Sequence, residues 1–426
     1  MSSSRILAAR AVAAVLARGQ TLEAALAQQP GTEALDRRDR AFARYLGASY
    51  FRHSGQIDAV LDPLLRKPPP PDVHAALRLG VAQLFVLKTP AHAAVGETVS
   101  AAKALKPAFA ALANAVMRRA AEDGRARFQA AAPKGNLPGW LRGDWTATYG
   151  APAMRRIAAQ LAKAPPLDLS VRADPEEWAA RLGGTVLPTG TVRLPQIGDV
   201  TALEGFSEGA WWVQDIAASL PVKMMDIRPG MRVLDLCAAP GGKTLQLAAV
   251  GARVTAVDIS EARLRLLRDN LARTGLKAEV VAADALDYDA PPFDAVLLDA
   301  PCSATGTLRR HPDVLFNKTP AQVGELVRLQ RRLLARACEL VRPGGELLYA
   351  VCSLQAAEGP EQLPRIARHR PDFRLNPPLT ALVSKLPSEL FALKGSDDIL
   401  RSLPYHMGES GGMDGFFAAR FRRAEG

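Results

Sequence analysis

One stretch, residues 233–249 (VLDLCAAPGGKTLQLAA), restricts the fold of this chain more than any other. Its apolar beginning, 233–236, has the composition of a buried parallel strand, and the Pro-Gly-Gly run at 240–242 ends that strand. Apolar residues resume at helical spacing from Leu245. Glycines at a strand-to-helix turn let a ligand approach the backbone closely. The stretch therefore predicts a ligand-binding turn in an α/β sheet.

Three cofactor classes compete for this turn. A phosphate-binding P-loop requires a glycine five residues before Gly242, and that position is Cys237. A dinucleotide fingerprint requires a spaced glycine triplet, which the stretch lacks. A nucleoside ligand without a pyrophosphate remains, and S-adenosylmethionine (SAM) is the commonest of these. We therefore expect SAM, with a ligand-free glycine turn as the alternative.

Alternating strands and helices continue after the turn. The predicted strands are 253–257, 278–282, 293–298 and 346–351, the predicted helices are 261–274 and 322–340, and Gly344-Gly345 is predicted as a turn. This order predicts a doubly wound α/β sheet, in which ligands bind beyond the carboxyl ends of the strands. The polar and thiol side chains expected at that edge are Asp258, Asp284, Asp299, Cys302 and Cys352.

Length, charge and cysteine content limit the classes of protein. A chain of 426 residues is long enough for two or three domains. A net charge of +11 favours a polyanionic partner, although basic proteins without nucleic acid are common. The four cysteines include no C-x-x-C pair, which predicts reduced thiols and no metal site in a cytoplasmic protein. The sequence contains no run of 18 apolar residues, so no membrane span is predicted.

Residues 1–130 carry helical spacing throughout. The first twenty residues resemble a transit peptide in composition, but the apolar stripe favours an amphipathic helix. Basic residues cluster at 37–44 and 118–127, which predicts either RNA contacts or a solvated face. Residues 130–137 are predicted as a linker. The predicted later helices are 40–50, 56–65, 73–87, 94–104 and 108–121.

Residues 138–210 are predicted as a third unit. A helical part at 138–161 precedes short strands at 167–172, 185–187 and 191–194, which is typical of a small α+β, RRM-like subdomain. The pair Trp211-Trp212 can be a base-stacking platform or buried packing, and packing is the commoner outcome.

Three motifs resemble those of the Sun/Nop family of RNA cytosine-5 methyltransferases: DLCAAPGGKT (235–244), LLDAPCSATGTLRRHPD (297–313) and YAVCS (349–353). GFSEGAWWVQD (205–215) and DGFFAARF (414–421) are similar to its entry and closing segments. Residues 5–128 resemble the NusB-type helical RNA-binding domain. The chain departs from the family pattern at Val351, at 357–359 and at 171–174.

The resemblance implies a multidomain protein. It consists of an all-α NusB-like domain (1–130), a small α+β RRM-like subdomain (138–210) and an α/β Rossmann-like SAM-dependent methyltransferase domain (211–426). The implied activity is methylation of cytosine C5 in 16S ribosomal RNA, before the small subunit assembles. The base must leave its stack to be reached. We expect the protein to act as a monomer.

The expected site follows from the same resemblance. Cytosine C5 becomes nucleophilic after a thiolate adds to C6, so one thiol must attack and a second group must assist release. From spacing alone, Cys302 and Cys352 are both candidates. The resemblance implies that Cys352 attacks, that Cys302 assists release and that Asp299 contacts the base. The implied SAM contacts are Cys237, Ala238, Ala239, Pro240, Gly241, Gly242, Lys243, Asp258, Asp284 and Asp299.

Residues 309–311 (Arg-Arg-His) are expected to contact RNA phosphates, and Cys338 is expected in the core. Two other classes remain open. One is an RNA-binding assembly factor without catalysis. The other is a methyltransferase for DNA or protein, which would need a target-recognition insert or an Asn-Pro-Pro-Tyr loop.

Overall fold

The computed structural model describes residues 4–195, 198–391 and 399–425, and the chain divides into two compact units. The helical unit consists of Met1–Lys163 and Leu308–Thr319, and the sheet unit of Ala164–Thr307 and Pro320–Gly426. The boundary therefore falls after Lys163 rather than at 138. The predicted third unit is split, since its helical part belongs to the helical unit and its strands to the sheet unit.

The N-terminal part is all-helical over its described residues, as expected. Helix α1 is an ordinary core helix, because Leu7, Val12 and Val15 are buried on its inner face. The apolar stripe thus reflects packing inside this unit. The helices are α1 Ser4–Arg18, α2 Leu22–Ala27, α3 Arg37–Arg52, α4 Ser54–Leu61, α5 Pro71–Phe85, α6 Ala91–Leu105, α7 Ala110–Ala130, α8 Gly139–Tyr149 and α9 Ala151–Leu161.

The predicted linker at 130–137 is wrong. Helix α7 continues to Ala130, and Pro133–Asn136 then form a 3-10 turn. The backbone N–H of Gln56 donates to the Asn136 side chain (3.0 Å), which in turn donates to the Gln56 side-chain oxygen (3.1 Å). Both side chains are buried. This reciprocal amide pair fixes the segment to α4, which composition alone does not reveal.

A distant segment, Leu308–Thr319, completes the helical unit. The Asp313 carboxylate accepts a hydrogen bond from the backbone N–H of Leu22 (3.0 Å), one of the N–H groups that the first turn of α2 leaves unpaired. The Arg52 guanidinium donates to the Arg309 carbonyl (2.9 Å). The Phe316 ring packs on Phe51 with ring centroids 5.2 Å apart. The segment is therefore built into this core.

The sheet unit follows the predicted alternation of strands and helices. Gly275 directly follows the helix Glu261–Thr274 (α13) in the left-handed conformation, as a C-terminal cap. Its elements are β1 Leu167–Val171, α10 Pro175–Leu182, β2 Thr185–Val186, β3 Val192–Leu194, β4 Trp211–Val213, α11 Ile216–Met224, β5 Arg232–Leu236, α12 Gly242–Ala249, β6 Arg253–Asp258, α13 Glu261–Thr274, β7 Glu279–Ala282, β8 Phe293–Asp299, α14 Pro320–Glu339, β9 Val341–Val351, α15 Leu363–His369, β10 Phe373–Leu375, α16 Thr380–Val383, β11 Ile399–Ser402 and β12 Phe416–Arg423.

The main sheet of the described residues has eight strands. Their order is β10-β12-β9-β8-β5-β6-β7, with β11 paired to β12. Strands β9, β8, β5, β6 and β7 are parallel, and β12 closes the sheet antiparallel to β9. The carboxyl ends of β5, β6, β8 and β9 therefore share one edge. This confirms the predicted α/β architecture.

The turn predicted at Gly344-Gly345 is a bulge inside a longer strand. Strand β9 begins at Val341, which pairs with Phe293, and Glu346 next pairs with Ala295. The residues between them are left over on β9. Gly344 has a φ of +67°, which a glycine adopts without strain.

The small antiparallel sheet has the order β2-β3-β1-β4 and contains the tryptophan pair. Trp211 and Trp212 lie in β4 and are 0% and 4% exposed. Their indole N–H groups donate to the Glu204 carbonyl (3.0 Å) and to Gln214 (2.9 Å). The stacking-platform interpretation is wrong, because both rings face cores on either side of this strand.

A buried ion pair joins the small sheet to the rest of the sheet unit. Arg193 on β3 donates two bonds of 2.7 Å to Asp168 on β1. Arg193 also donates to the carbonyls of Ser410 (2.7 Å) and Gly412 (2.8 Å). The Asp168 carboxylate accepts the backbone N–H of Ile216, which begins α11 (3.0 Å). The pair therefore fixes the small sheet against the main sheet.

Candidate active site

The glycine turn lies between β5 and α12. Cys237 and Gly241 both have positive φ, +60° and +106°. A Cβ atom on Gly241 would lie 2.2 Å from Leu267, so the turn can close only with glycine there. The Ala238 N–H donates to the Val257 carbonyl (3.1 Å), which ties the turn to β6. The first turn of α12 then presents its backbone N–H groups at this edge.

Two of the predicted acids follow β6 and β7. Asp258 is 3% exposed, and its two oxygens accept the backbone N–H groups of Ala239 (3.1 Å) and Ser260 (2.9 Å). Each oxygen keeps a second lone pair. Asp284 is half-buried and accepts the Leu286 N–H (2.9 Å). Both carboxylates are thus held in place by backbone, at the edge where the sequence predicts them.

The third acid, Asp299, ends β8 and pairs with Lys243. The Lys243 ammonium lies 2.7 Å from the Asp299 carboxylate and 4.9 Å from the centroid of the Phe416 ring. Burial lowers the pKa of Lys243, but the Asp299 carboxylate and the nearby Cys352 outweigh it, so the pKa is raised. Lys243 therefore stays charged and orients Asp299.

The two motif cysteines meet at the same edge. Cys302 follows β8 and Cys352 follows β9, and these strands are paired in parallel. Their sulfur atoms are 3.4 Å apart. The hydrogen bond with Cys352, burial and the charge of Cys352 raise the pKa of Cys302 well above its usual value. Cys302 is therefore held as a protonated thiol beside Cys352.

The other cysteines are not suited to attack. Burial raises the pKa of Cys237, and the carboxylates of Asp258 and Asp299 add to this shift. Burial also raises the pKa of Cys338 to about 12. Cys338 is 1% exposed, which confirms its expected place in the core. Thiols with raised pKa values are poor nucleophiles.

The expected phosphate contact is wrong for Arg309, the first residue of 309–311, because its side chain is buried. Arg309 is fully buried within the helical unit, where its carbonyl accepts from Arg52. Its place in a motif just after the Cys302 loop gave no signal of this burial. Arg310 is half-buried and His311 is exposed.

Two acids of the site were not predicted. Asp235 lies inside β5, fully buried, and its Oδ2 accepts the Thr244 hydroxyl (2.6 Å). Its Oδ1 has no partner among the described residues. Burial raises the pKa of Asp235 to about 7. Glu358, also fully buried, contacts both cysteine loops. An acid inside the apolar run of β5 was an available signal for Asp235, whereas Glu358 has no local signal.

The site is acidic and therefore fits a cationic cofactor. Burial is the largest cause of the raised pKa of Asp235, and the nearby carboxylates of Asp299 and Asp258 raise it further. Among the described residues, Lys243 pairs with Asp299 and Arg263 with Asp258. SAM carries a sulfonium and an ammonium against one carboxylate. The partly exposed carboxylates of Asp284 and Asp299 and the backbone N–H groups of α12 complement those charges.

An open, mostly parallel sheet with this turn, these acids and paired thiols defines an α/β methyltransferase. The model of a family described as 16S rRNA methyltransferase RsmB/F matches residues 222–422, and that of the NusB family matches residues 2–122. Both the Sun/Nop-type and the NusB-type resemblance are therefore confirmed.

Relatives match most of the chain. Ribosomal RNA small subunit methyltransferase B of Xanthomonas campestris pv. campestris is 39% identical over 88% of this chain and 90% of that protein. The protein of the same name from Pseudomonas putida is 37% identical over 87% and 90%. A solved methyltransferase homolog from Pyrococcus horikoshii has 26% identity and a TM-score of 0.56 over 67% of this chain and 94% of that chain.

The chain therefore belongs to the RsmB/F methyltransferase family, and its cofactor is SAM. Within residues 4–195, 198–391 and 399–425, no helix is long and apolar enough to cross a membrane.

Proposed function

We propose that the protein transfers a methyl group from SAM to C5 of a cytosine in 16S ribosomal RNA. The observation that carries this proposal is the pair of sulfur atoms, 3.4 Å apart, at the ends of adjacent strands beside the Asp299–Lys243 pair. Two thiols at this spacing can both reach one flat base. The names of the relatives support ribosomal RNA of the small subunit as the substrate.

Cys352 is the proposed nucleophile. Its thiolate adds to C6 of the cytosine, so a C–S bond forms and the ring electrons move toward C5. Asp299, oriented by Lys243, contacts the N3/N4 edge of the ring, where charge develops. SAM, when bound, would supply the electrophilic methyl group, and the electron pair of the broken S–CH3 bond would stay on the sulfur of the departing S-adenosylhomocysteine. C5 then holds both the methyl group and its original proton.

Cys302 is the proposed release group. Cys302 gives its thiol proton to the Cys352 sulfur as the C6–S bond breaks. The resulting Cys302 thiolate accepts the C5 proton, and the electron pair of that C–H bond restores the C5–C6 double bond. A thiol held protonated 3.4 Å from Cys352 can exchange a proton with that departing sulfur. The base must be unpaired or turned out of its stack to lie between the thiols and the methyl donor. This supports RNA that is not yet folded into the subunit as the substrate.

The helical unit is proposed to contact the RNA. Arg38, Arg40, Arg118 and Arg119 are exposed on its described surface. Together with the net charge of +11, this supports sequence-independent contacts to phosphates.

The test uses Cys302→Ala and Cys352→Ala with small-subunit ribosomal RNA and SAM, followed by a denaturing gel and nucleoside mass spectrometry. We expect Cys302→Ala to accumulate a protein–RNA adduct. We expect Cys352→Ala to give neither adduct nor 5-methylcytosine. Cys338→Ala, which removes a buried thiol outside the site, is the matched control and should methylate at the wild-type rate.

Two outcomes would change the proposal. An adduct in Cys352→Ala and none in Cys302→Ala would exchange the two roles. Wild-type methylation in both variants would refute covalent catalysis by these thiols.

A further inference from the structure

A buried carboxylate lies between the two cysteine loops. Glu358 is fully buried and ends the short 3-10 turn Ala356–Glu358 that follows β9. It lies six residues after Cys352 in the chain and is not adjacent to either cysteine. A buried ionised group is costly unless it is fully hydrogen-bonded. The partners of this carboxylate therefore matter.

The Glu358 carboxylate has a donor for each of its lone pairs. Oε1 accepts the backbone N–H of Ser303 (2.8 Å) and the side-chain amide of Gln330 on α14 (3.0 Å). Oε2 accepts the hydroxyls of Ser303 and Ser353. An ionised carboxylate offers about four acceptor sites, so this one is saturated. Bonds to an ionised acceptor are also the stronger kind.

These partners are the residues next to the two thiols. Ser303 follows Cys302 directly, and Ser353 follows Cys352 directly. One carboxylate thus holds two loops that are about fifty residues apart in the chain. The Ser303 and Ser353 hydroxyl oxygens also lie 3.1 Å from each other.

Shorter-range contacts between the loops follow the same design. The Gly306 N–H donates to the Cys352 carbonyl (3.0 Å), and the Leu354 N–H donates to the Thr305 hydroxyl (3.0 Å). A Cβ atom on Gly306 would lie 1.8 Å from the carbonyl oxygen of Gly415, before β12, and 3.0 Å from that of Cys352, so the Cys302 loop can pack this closely on both segments only with glycine at 306. The distance between the sulfurs is therefore fixed both by the hydrogen bonds of Glu358 to the two serines and by the direct hydrogen bonds between the loops.

We propose that Glu358 is a positioning residue, which fixes the relative placement of the Cys302 and Cys352 thiols for attack on one base and release from it. This inference rests on the proposed function. Glu358 acts through the two serines and does not touch the substrate. A displacement of about 1 Å between reacting groups can reduce a rate about 100-fold, so a clamp of this kind affects turnover.

The charge of Glu358 supports the same role. The largest cause of the raised pKa of Cys302 is its hydrogen bond with Cys352, followed by burial, and the Glu358 carboxylate raises it further. The carboxylate thus also helps to keep the release thiol protonated while Cys352 attacks.

Three variants distinguish the proposed positioning of the two thiols by Glu358 from a general contribution of Glu358 to stability. Glu358→Ala removes every bond. Ser353→Ala cuts the bond between the carboxylate and the Cys352 loop while leaving Ser303 and Gln330 in place. Glu358→Gln keeps the shape, because its oxygen can accept from Ser303 and Gln330 while its amide donates to the two hydroxyls, which can also accept. Glu361→Gln, an exposed acid on the next turn, is the matched control.

The assay is single-turnover and steady-state methylation of small-subunit ribosomal RNA, with SAM affinity and melting temperature measured on each variant. We expect kcat to fall about 100-fold in Glu358→Ala and about 10-fold in Ser353→Ala. KM for RNA and SAM should stay within about twofold, since neither ligand loses a contact. Glu358→Gln should recover most of kcat, and the control should match the wild type.

Wild-type kcat in both Ser353→Ala and Glu358→Ala would overturn the inference. So would a loss of kcat that follows melting temperature and SAM affinity in every variant, because that is the result of a merely structural role. If Glu358→Ala does not fold, Ser353→Ala and Glu358→Gln carry the test. A wild-type protein that forms no 5-methylcytosine would instead refute the proposed function.

Discussion

Replacement of the buried Asp235 by asparagine is expected to remove a loss of stability that the sheet unit otherwise suffers as the pH rises. The side chain is fully buried inside β5, and burial raises its pKa from 3.8 to about 7. An acid with a raised folded-state pKa stabilises the fold below its unfolded pKa. That stability is lost as the pH rises from about 4 through about 7.

The shift sets the magnitude. A difference of about three pKa units corresponds to about 4 kcal/mol at 1.36 kcal/mol per unit. Asparagine has no proton to lose, so the variant lacks this loss. Its oxygen can still accept the Thr244 hydroxyl, and the cost of its amide N–H groups is the same at every pH. The unfolding free energy of Asp235→Asn minus that of the wild type should therefore rise by about 1.3 kcal/mol from pH 5 to 6 and by about 1 kcal/mol from pH 6 to 7, where the folded-state carboxyl begins to ionise.

The measurement is urea unfolding at pH 5 to 8, followed by pulsed hydrogen exchange at fixed pH on peptides of β5 and β6. These peptides report on the sheet unit without the helical unit. Asp294→Asn, near the start of the neighbouring strand β8, is the matched control. The hydrogen bond with Arg342 lowers the pKa of Asp294, so it is ionised in both states and its difference should not change over this range.

Parallel curves for Asp235→Asn and the wild type between pH 5 and 7 would refute the reasoning. That outcome would mean that Asp235 is charged in the fold at pH 5 and is stabilised by a partner or by solvent. SAM affinity should also weaken in the variant at pH 8, because one negative charge of the acidic site is lost.

Three further outcomes follow from other features. Gly241→Ala should cost about 1–3 kcal/mol of stability and weaken SAM binding in calorimetry, since φ is +106° and the new Cβ meets Leu267; an unchanged melting temperature would contradict this. Asp168→Ala should cost about 3–5 kcal/mol in urea unfolding because it leaves the Arg193 charge buried, whereas loss of an exposed pair such as Asp226–Arg228 should cost almost nothing. Charge reversal at Arg38 and Arg40 should reduce RNA affinity and flatten its dependence on salt in a titration, and equal slopes would exclude phosphate contacts there.

Local sequence determined much of the sheet unit. The apolar runs before Leu236 and Leu298 form parallel strands because both faces of the sheet are covered, and the glycine turn can close only at Gly241. Three acids and two thiols then fall at one edge by topology alone. A pattern with a period of a few residues predicts such features well.

Contacts between distant residues could not be predicted in this way. In the sequence Asn136 looks like part of a polar linker, and only the fold shows its hydrogen bond with Gln56. Arg309 likewise looks like a phosphate ligand, and only the fold shows that it is buried where Arg52 donates to its carbonyl. The tryptophan pair lies on a strand whose two faces are both covered, which depends on the placement of α13. Glu358 likewise gains its meaning from serines about fifty and five residues away.

The segment Leu308–Thr319 has a consequence for synthesis. The helical unit includes the first helices to be made, yet Phe316 packs against its core and Asp313 accepts a backbone N–H from the first turn of its second helix. At about 5–20 residues per second, roughly seven to thirty seconds pass between translation of α9 and of this segment. Throughout that interval the nascent helices expose the surface that the segment later covers. A truncated chain that stops before residue 308 should therefore need chaperone protection that the full-length chain sheds on completion.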